Sequence, residues 1–264
     1  MTYAVKECFL TLQGEGVQSG RRAVFLRFAG CNLWSGREAD RATADCRFCD
    51  TDFVGTDGEG GGKFATAEAL ADRVETIWAG GDEQRLVVIT GGEPMLQLDA
   101  ALVDALHARG FRVAMESNGT LPAATGIDWL CISPKAGTEV VQRSGDELKL
   151  VWPQEGIEPA ELEDWDFANF LVQPMDCADR EAAVEAAIGL AIARPKWRHS
   201  LHAHKVVGLA YSPLLESALP AGVAVGVLVS GAVARGRGLS TDFGRSEWAA
   251  LLISLSRLLS MPAE

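Results

Sequence analysis

Three of the six cysteines in this 264-residue chain lie in one short stretch, at Cys31, Cys46 and Cys49. Fourteen residues separate the first from the second, and two separate the second from the third. Thiolates are soft ligands that suit zinc or the irons of an iron-sulfur cluster. Structural zinc is held by four protein ligands, and no fourth cysteine or histidine lies nearby in sequence. We therefore favour a cluster held by three cysteines, with one iron left open.

The other cysteines, Cys8, Cys131 and Cys177, lie in or beside apolar segments and are read as ordinary thiols. Zinc stays open as an alternative if one of them folds back onto the loop. In that case the chain would be a zinc-stabilised interaction module without catalytic activity.

Further polar groups follow short apolar runs, each where a buried strand is expected to end. In parallel α/β sheets the carboxyl ends of the strands meet at one rim, and ligands bind there. Any one of these groups is also explained by a turn or a helix cap, but five at successive strand ends favour one shared site. They are Cys31, Thr90-Gly91-Gly92-Glu93-Pro94, Glu116-Ser117-Asn118, Ser133-Pro134-Lys135 and Gln173-Pro174-Met175-Asp176.

Alternating strands and helices are expected to position these groups. Apolar positions at helical spacing predict a helix capped by Thr66 and ended by Gly80, a second over 98–109 and a third over 179–193. This alternation predicts an α/β fold with a parallel sheet. The predicted strands cover 24–28, 86–89, 111–115, 128–132, 148–152 and 169–172.

The composition limits the classes of partner. A formal net charge of -12 argues against nucleic acid or an anionic membrane as the main partner. An anionic small molecule is still compatible, because Arg27 or Lys135 can reverse the field inside a pocket. The first residues lack a basic segment followed by an apolar one, so no secretory signal is predicted. We expect a cytoplasmic protein with reduced thiols.

The three-cysteine loop, Phe48 and the Gly-Gly-Glu-Pro element together resemble the radical S-adenosylmethionine (SAM) superfamily. That superfamily usually spaces its cysteines C-x3-C-x2-C, and the longer first gap here resembles a subset of the 7-carboxy-7-deazaguanine synthase family. The resemblance covers about residues 3–208 and implies a partial (β/α) barrel with the site at the carboxyl ends of its strands. Other matching segments are Thr11-Leu12-Gln13-Gly14-Glu15-Gly16, Phe25 to Leu33, Cys49-Asp50-Thr51, Glu116 to Gly119, Ser133-Pro134-Lys135, Gln173-Pro174-Met175 and His204-Lys205.

The resemblance implies a reaction. Members of this family convert 6-carboxy-5,6,7,8-tetrahydropterin to 7-carboxy-7-deazaguanine with loss of ammonia, a step toward queuosine and related deazapurines. A glycyl-radical activase is the alternative enzyme, but it must admit a protein loop, and the element Leu12 to Gly16 speaks against it. The implied partners are the pterin, an electron donor such as flavodoxin or ferredoxin, and a second copy in a homodimer.

The resemblance also implies the cofactors: a 4Fe-4S cluster on Cys31, Cys46 and Cys49, SAM, and Mg²⁺ held through Thr51. A helix cap is the alternative role for Thr51. The residues implied to bind SAM are Phe48, Gly92, Ser133, Pro134, Lys135, Gln173, Pro174, Met175 and Asp176.

The residues implied to bind substrate include Arg27, a fitting partner for the pterin carboxylate. A structural ion pair between Arg27 and Glu15 or Glu116 is the alternative. Glu116 and His204 are the expected catalytic residues, although a lone histidine is often structural. The full set implied to bind substrate is Leu12, Gln13, Gly14, Glu15, Arg27 and Thr90.

All of these residues lie in the first part of the chain. We therefore expect residues 1–210 to form the catalytic domain and residues 211–264 to form a loosely ordered extension. Between Glu216 and Arg235 lie eighteen uncharged residues. Because this stretch contains proline and several glycines, we expect an appendage there and no membrane span.

Overall fold

The computed structural model describes residues 2–203, which form one nine-stranded sheet with helices packed against it. The strand order is β3-β1-β2-β4-β5-β6-β7-β8-β9. In this order, β2 and β4 to β9 pair in parallel with one another. β1 is antiparallel to both of its neighbours, β2 and β3. The strands are β1 (Tyr3–Leu12), β2 (Arg22–Phe28), β3 (Gly62–Phe64), β4 (Leu86–Gly91), β5 (Arg112–Ser117), β6 (Trp129–Ile132), β7 (Ser144–Trp152), β8 (Asp166–Pro174) and β9 (Trp197–His199).

Side-chain caps fix the starts of the main helices. Thr66, Asp99 and Asp179 each accept a hydrogen bond from a backbone N–H in the first turn of the helix that follows. The predicted cap at Thr66 is confirmed. The helices are α1 (Ala67–Trp78), α2 (Ala100–His107), α3 (Pro159–Leu162) and α4 (Arg180–Ala193), with short 3-10 segments at Glu38–Thr43 and Pro94–Leu96.

The two faces of the sheet differ in character because side chains alternate along each strand. In β2, Leu26 and Phe28 point into the main core, which also contains residues of α1, α2 and α4. Phe25 and Arg27, on the opposite face, line a large cavity. The helix-covered face therefore supplies the apolar core, and the other face is free to carry polar chemistry.

The α/β class and the mainly parallel sheet are confirmed, and all six predicted strands are present. β7 begins at Ser144 and not at 148, because its polar first residues pair through the main chain with β8. The predicted helix over 98–109 is shorter, since Asp99 is its cap. Strands β1, β3 and β9 were not predicted: β1 has Lys6 and Glu7 within it, and the other two have only three residues each.

Within residues 2–203, no helix is long and apolar enough to cross a membrane. These residues belong to one compact unit. Predictions for His204, for the extension 211–264 and for the uncharged stretch after Glu216 concern residues outside the described part of the chain.

Candidate active site

A cavity of about 550 Å³ opens at the carboxyl ends of the parallel strands. Its wall is built from the cavity-facing side chains of the sheet, the cysteine loop and the segment after β1. The lining residues are Glu7, Gln13, Gly14, Glu15, Phe25, Arg27, Cys46, Phe48, Cys49, Asp50, Thr51, Asp52, Thr90, Gly91, Gly92, Glu116, Ser117, Asn118, Ser133, Lys135, Lys149, Val151, Gln173, Asp176 and His202.

Most residues expected at the site are therefore brought together around one space. Five are not among the lining residues: Leu12 is exposed at the end of β1, Cys31 follows β2, Pro134 and Pro174 are buried, and Met175 follows β8. His204 lies outside the described residues.

The Gly91-Gly92 pair allows β4 to end against the cysteine loop. A Cβ on Gly92 would lie 2.2 Å from the carbonyl oxygen of Gly30 and 2.7 Å from Cβ of Cys31. Gly91 has a φ of +152°, and a Cβ there would lie 2.5 Å from the carbonyl oxygen of Phe28. Only glycine permits this close approach. Cys31 is thereby held beside the cavity although it is not among the lining residues.

The long segment between Cys31 and Cys46 packs against Phe53 in a small separate apolar cluster. Trp34 and Phe53 pack edge to face with ring centroids 5.6 Å apart, and Ala44 lies with them. The guanidinium of Arg41 lies 4.1 Å from the Trp34 ring centroid. Its Nη1 donates to the carbonyl oxygens of Arg47 and Cys49, at 2.9 and 3.1 Å. Arg41 thus links the insertion to the segment that carries Cys49.

The cysteine thiols form a coupled group. A hydrogen bond between Cys46 and Cys49 raises the pKa of Cys46 and lowers that of Cys49 to about 6, while burial raises the pKa of Cys31. Among residues 2–203, no three His, Cys, Asp or Glu side chains converge closely enough to hold a single metal ion. An iron-sulfur cluster does not require the thiolates to converge on one ion, because each thiolate binds a separate iron. Three soft thiols beside an open cavity fit an iron-sulfur cluster better than a closed zinc site.

Thr51 lies at the cavity wall two residues after Cys49. No helix begins in the described stretch between Cys49 and β3, so helix capping does not account for this threonine. Lys6 of β1 anchors the following segment through ion pairs with Asp52 and Asp57, at 2.9 and 2.8 Å. The hydroxyl of Thr51 is therefore carried on an anchored segment at the rim.

Glu93 has a structural role within the Gly-Gly-Glu-Pro element. Its side chain is fully buried and accepts hydrogen bonds from Met95 N, Ser117 Oγ and Asn118 N at 2.8–2.9 Å. Burial raises the pKa of this carboxyl group. Glu93 thus joins the end of β4 to the end of β5 and leaves Gly91, Gly92 and Thr90 for the cavity.

Arg27 forms an ion pair, but its partner differs from the two that sequence reasoning considered. Its Nε donates to Oε1 of Glu7 at 2.7 Å, so neither Glu15 nor Glu116 is its partner. Glu7 and Arg27 are neighbours across the β1–β2 pair, and both line the cavity. The guanidinium is therefore within reach of a ligand.

A buried lysine organises the carboxylates of the cavity. Lys149 Nζ donates to Oε2 of Glu15 at 2.7 Å and to Oε2 of Glu116 at 2.9 Å. Gln13 Nε2 donates to the other oxygen of Glu116 at 2.8 Å. Sequence reasoning missed Lys149, although a lysine inside the apolar run Leu-Lys-Leu of a strand was a visible signal.

Gln173 and His202 close the same corner of the cavity. Gln173 Nε2 donates to Glu15 Oε2 at 2.9 Å and lies 2.9 Å from Nε2 of His202. Ser200 Oγ donates to Gln173 Oε1 at 3.1 Å. His202 was also missed, because nothing in the sequence separates it from its neighbour His204. Gln173, expected to bind SAM, here touches Glu15, expected to bind the pterin.

Lys135 lies on the side of the cavity nearest the cysteines. Its Nζ donates to the carbonyl oxygen and to Oγ of Ser133, at 3.0 and 2.6 Å. It lies 5.7 Å from the ring centroid of Phe48, and burial lowers its pKa. The positive charge of Lys135 attracts and partly neutralises the nearby thiolates. It also suits a carboxylate ligand beside them.

Comparisons with known proteins agree with this geometry. The family model described as the radical SAM superfamily matches residues 40–147, a range that contains Cys46 and Cys49 but begins after Cys31. A 7-carboxy-7-deazaguanine synthase from Caulobacter vibrioides is 62% identical over 209 residues, covering 79% of this chain and 100% of that protein. One from Burkholderia multivorans is 58% identical over 209 residues with the same coverage.

A solved structure is also similar. The crystal structure of QueE from Escherichia coli matches with a TM-score of 0.58 and 28% sequence identity. The match covers 77% of this chain and 95% of that one.

Proposed function

The chain belongs to the 7-carboxy-7-deazaguanine synthase family of radical SAM enzymes, and from that premise we propose which of its residues carry each part of the reaction. It is a synthase that forms 7-carboxy-7-deazaguanine from 6-carboxy-5,6,7,8-tetrahydropterin with release of ammonia, in queuosine biosynthesis. The observation that carries the assignment of residues is the convergence of the cysteine loop and the strand-end groups on one cavity. Neither a glycyl-radical activase nor a zinc-stabilised module fits this family.

The cofactors of the family are a 4Fe-4S cluster and SAM, which together supply a 5'-deoxyadenosyl radical for hydrogen abstraction. We assign the cluster to Cys31, Cys46 and Cys49. Lys135 and Gly92 border the same side of the cavity, where a cation and free backbone suit the amino-acid end of SAM. Phe48, Ser133, Gln173 and Asp176 complete the proposed SAM wall.

The pterin is assigned to the rest of the wall, which meets the SAM wall where Gln173 contacts Glu15. Arg27 is placed to bind its carboxylate, and Gln13, Glu15 and Glu116 offer amide and carboxylate groups to its ring edge. Gly14 and Thr90 shape the same wall. The chain's contribution is to orient the substrate carbon against the radical and to exclude water, so accurate placement matters more than acid-base strength.

Mg²⁺ is part of the proposal, with the hydroxyl of Thr51 as its protein ligand. The support is the position of Thr51 at the rim, next to the carboxylates of Asp50 and Asp52, which also line the cavity. Mg²⁺ prefers oxygen ligands and keeps several waters or substrate oxygens. A cation there would help to neutralise an anionic substrate.

We further propose that the enzyme works in the cytoplasm, as a homodimer, with reduction by a flavodoxin or ferredoxin. Six free cysteines suit a reducing compartment. The dimer and the electron donor are supported by family membership.

Anaerobic turnover of carboxytetrahydropterin with SAM and a reductant tests the proposed function. The enzyme loaded with iron and sulfide should release 7-carboxy-7-deazaguanine and ammonia in equal amounts. Cys46→Ala is the inactive control, and Cys177→Ala, which changes an exposed thiol, is its matched partner. A loaded wild-type enzyme that cleaves SAM but leaves the pterin unchanged would contradict the assignment.

A further inference from the structure

Lys149 lies on the cavity face of β7. Successive side chains of a strand alternate, so Leu148 and Leu150 enter the main core while Lys149 and Val151 line the cavity. Lys149 is only 5% exposed. A cation this deeply buried is unfavourable unless opposite charges and hydrogen bonds satisfy it.

Two carboxylates from separate elements satisfy that charge. Glu15 belongs to the segment after β1 and Glu116 to β5, and each directs its Oε2 to Lys149 Nζ. The side chains of Glu15 and Glu116 are 19% and 24% exposed, so both remain accessible from the cavity. The trio carries a net charge of one negative unit.

The charges around them fix the ionisation of Lys149 and Glu15. Burial alone would lower the pKa of Lys149, but Glu116 and Glu15 raise it well above its ordinary value. Burial raises the pKa of Glu15, but Lys149, with help from His202 and Gln173, lowers it to about 2. Near neutral pH, Lys149 is thus a cation and Glu15 an anion.

The other titratable groups facing Lys149 do not replace these partners. Glu147, two residues earlier in β7, is buried and accepts from Val17 N, and burial raises its pKa. Cys131 of β6 contacts Glu147, and burial raises its pKa well above the usual range. Lys135 is a second cation, and His202 lies 3.6 Å from Glu15. Glu15 and Glu116 therefore supply the close balancing charge.

We propose that Lys149 is a positioning residue for substrate: it holds the carboxylates of Glu15 and Glu116 in place as paired acceptors for the N–H groups on the ring edge of the pterin. The inference rests on the proposed function and adds a residue to its substrate wall. A pterin edge presents adjacent N–H donors, and charged acceptors bind them more strongly than neutral ones. Without the cation, two buried carboxylates would repel each other.

Replacing Lys149 by methionine keeps the length of the side chain and removes its charge. Lys149→Met should weaken pterin binding about ten- to hundredfold, the range expected for losing ordered charged hydrogen bonds. The pKa of Glu15 should rise, because the cation that lowers it is gone. Pterin affinity in the variant should then fall as the pH is lowered, whereas the wild type should stay constant over the same range.

The experiment measures pterin binding to the cluster-loaded enzyme from about pH 6 to pH 8, where Lys149 and Glu15 of the wild type keep their charges. SAM cleavage without substrate, iron content and thermal unfolding are recorded alongside. Lys63→Met is the matched control, since Lys63 is exposed on the edge strand β3. Weaker, pH-dependent binding with iron and SAM cleavage retained supports the proposal. Wild-type affinity and a flat pH profile in Lys149→Met would overturn it.

A second comparison covers the case in which Lys149→Met does not fold. The double variant Lys149→Met/Glu15→Gln restores the net charge of the trio to one negative unit. It should bind the pterin several-fold more weakly than Glu15→Gln alone, because Glu116 has lost its cation. Equal affinity would overturn the inference. Failure of the wild type to convert the pterin would instead refute the proposed function.

Discussion

At the scale of single residues, Arg27 is placed to bind a second carboxylate while it keeps its ion pair with Glu7. It uses Nε for Glu7, and a guanidinium has four further N–H donors. Its side chain is 11% exposed and that of Glu7 is 25% exposed, so the pair borders the cavity without being sealed. A substrate carboxylate can then form a bidentate pair with the guanidinium of Arg27, while Glu7 keeps that guanidinium oriented.

Arg27→Ala should weaken pterin affinity about ten- to hundredfold through the lost charged hydrogen bonds. SAM cleavage without substrate should persist, since Arg27 is assigned to the other wall. Binding titration of the loaded enzyme measures the first, and deoxyadenosine formation the second. Glu7→Gln is the matched control and should not weaken binding, because it leaves the guanidinium less neutralised. Equal losses in both variants, together with lower thermal stability, would mean that the pair is purely structural.

Thr51 gives a second prediction at this scale. Turnover of the wild type should rise with added Mg²⁺, and Thr51→Ala should blunt that rise because it removes an oxygen ligand. Steady-state rates across a Mg²⁺ titration measure the effect. Thr51→Ser, which keeps the hydroxyl, should retain the response. Loss of thermal stability with an unchanged Mg²⁺ response would contradict the assignment.

The residues that sequence reasoning found and missed differ in a physical way. Cys46, Arg27 and Gly92 stand out because their types are unusual in their local setting, so pattern alone singles them out. Lys149 donates a hydrogen bond to Glu15, 134 positions away in sequence. His202 contacts Gln173, 29 positions away. Such partnerships depend on the sheet order and cannot be read from a single strand.

At the scale of elements, the insertion between Cys31 and Cys46 acts as a folded unit that holds the last cysteine. Trp34 of the insertion packs against Phe53, which follows Cys49, and Arg41 connects Trp34 to the carbonyl oxygen of Cys49. A long gap in a cluster loop is therefore compatible with a fixed thiol geometry, because the extra residues pack and do not remain loose. The 3-10 segment Glu38–Thr43 carries Arg41.

Arg41→Ala should loosen this unit by about 2 kcal/mol, the sum expected for one cation-π contact and its hydrogen bonds. The loaded variant should lose iron to a chelator faster than the wild type, as followed by the visible absorbance of the cluster. Arg37→Ala is the control, since Arg37 is exposed in the same insertion. Identical rates of iron loss in Arg41→Ala and wild type would show that the insertion does not restrain the cluster.

The fold shows the same limit of sequence reasoning at the level of strands. The parallel strands β4 to β8 have apolar centres on the helix-covered face, and their periodicity identifies them. In β1, the apolar positions are interrupted by Lys6 and Glu7, and the pairing register with β2 shifts at the same place. Lys6 is stabilised by Asp52 and Asp57, far along the chain. Its place inside a strand is therefore a tertiary effect.

At the scale of the whole molecule, we propose that residues 1–210 form the complete catalytic unit. Among residues 2–203, those that line the cavity lie between Glu7 and His202. The relatives from Caulobacter vibrioides and Burkholderia multivorans are covered over their whole length by 209 matched residues. About a fifth of this chain therefore has no counterpart in those two proteins.

Deletion after Ala210 should leave a protein that folds, binds its cluster and turns over the pterin at a rate similar to that of the full chain. Iron content, thermal unfolding and turnover of the two proteins, prepared side by side, measure this. A truncated protein that keeps its cluster but loses turnover would place residues of the extension at the site. One that aggregates would make the extension part of the fold.

The segment after β1 is held by the far end of the described chain. Gly16 N donates to Oγ of Ser200 at 3.1 Å, and Ala203 N donates to the carbonyl oxygen of Gly14 at 2.9 Å. The three proposed cluster ligands, Cys31, Cys46 and Cys49, in contrast lie within one local loop. During synthesis the thiols therefore leave the ribosome long before the pterin wall can form, because loops of nearly 190 residues must close first. A cluster supplied to the nascent chain would therefore meet its three ligands before the substrate pocket could close.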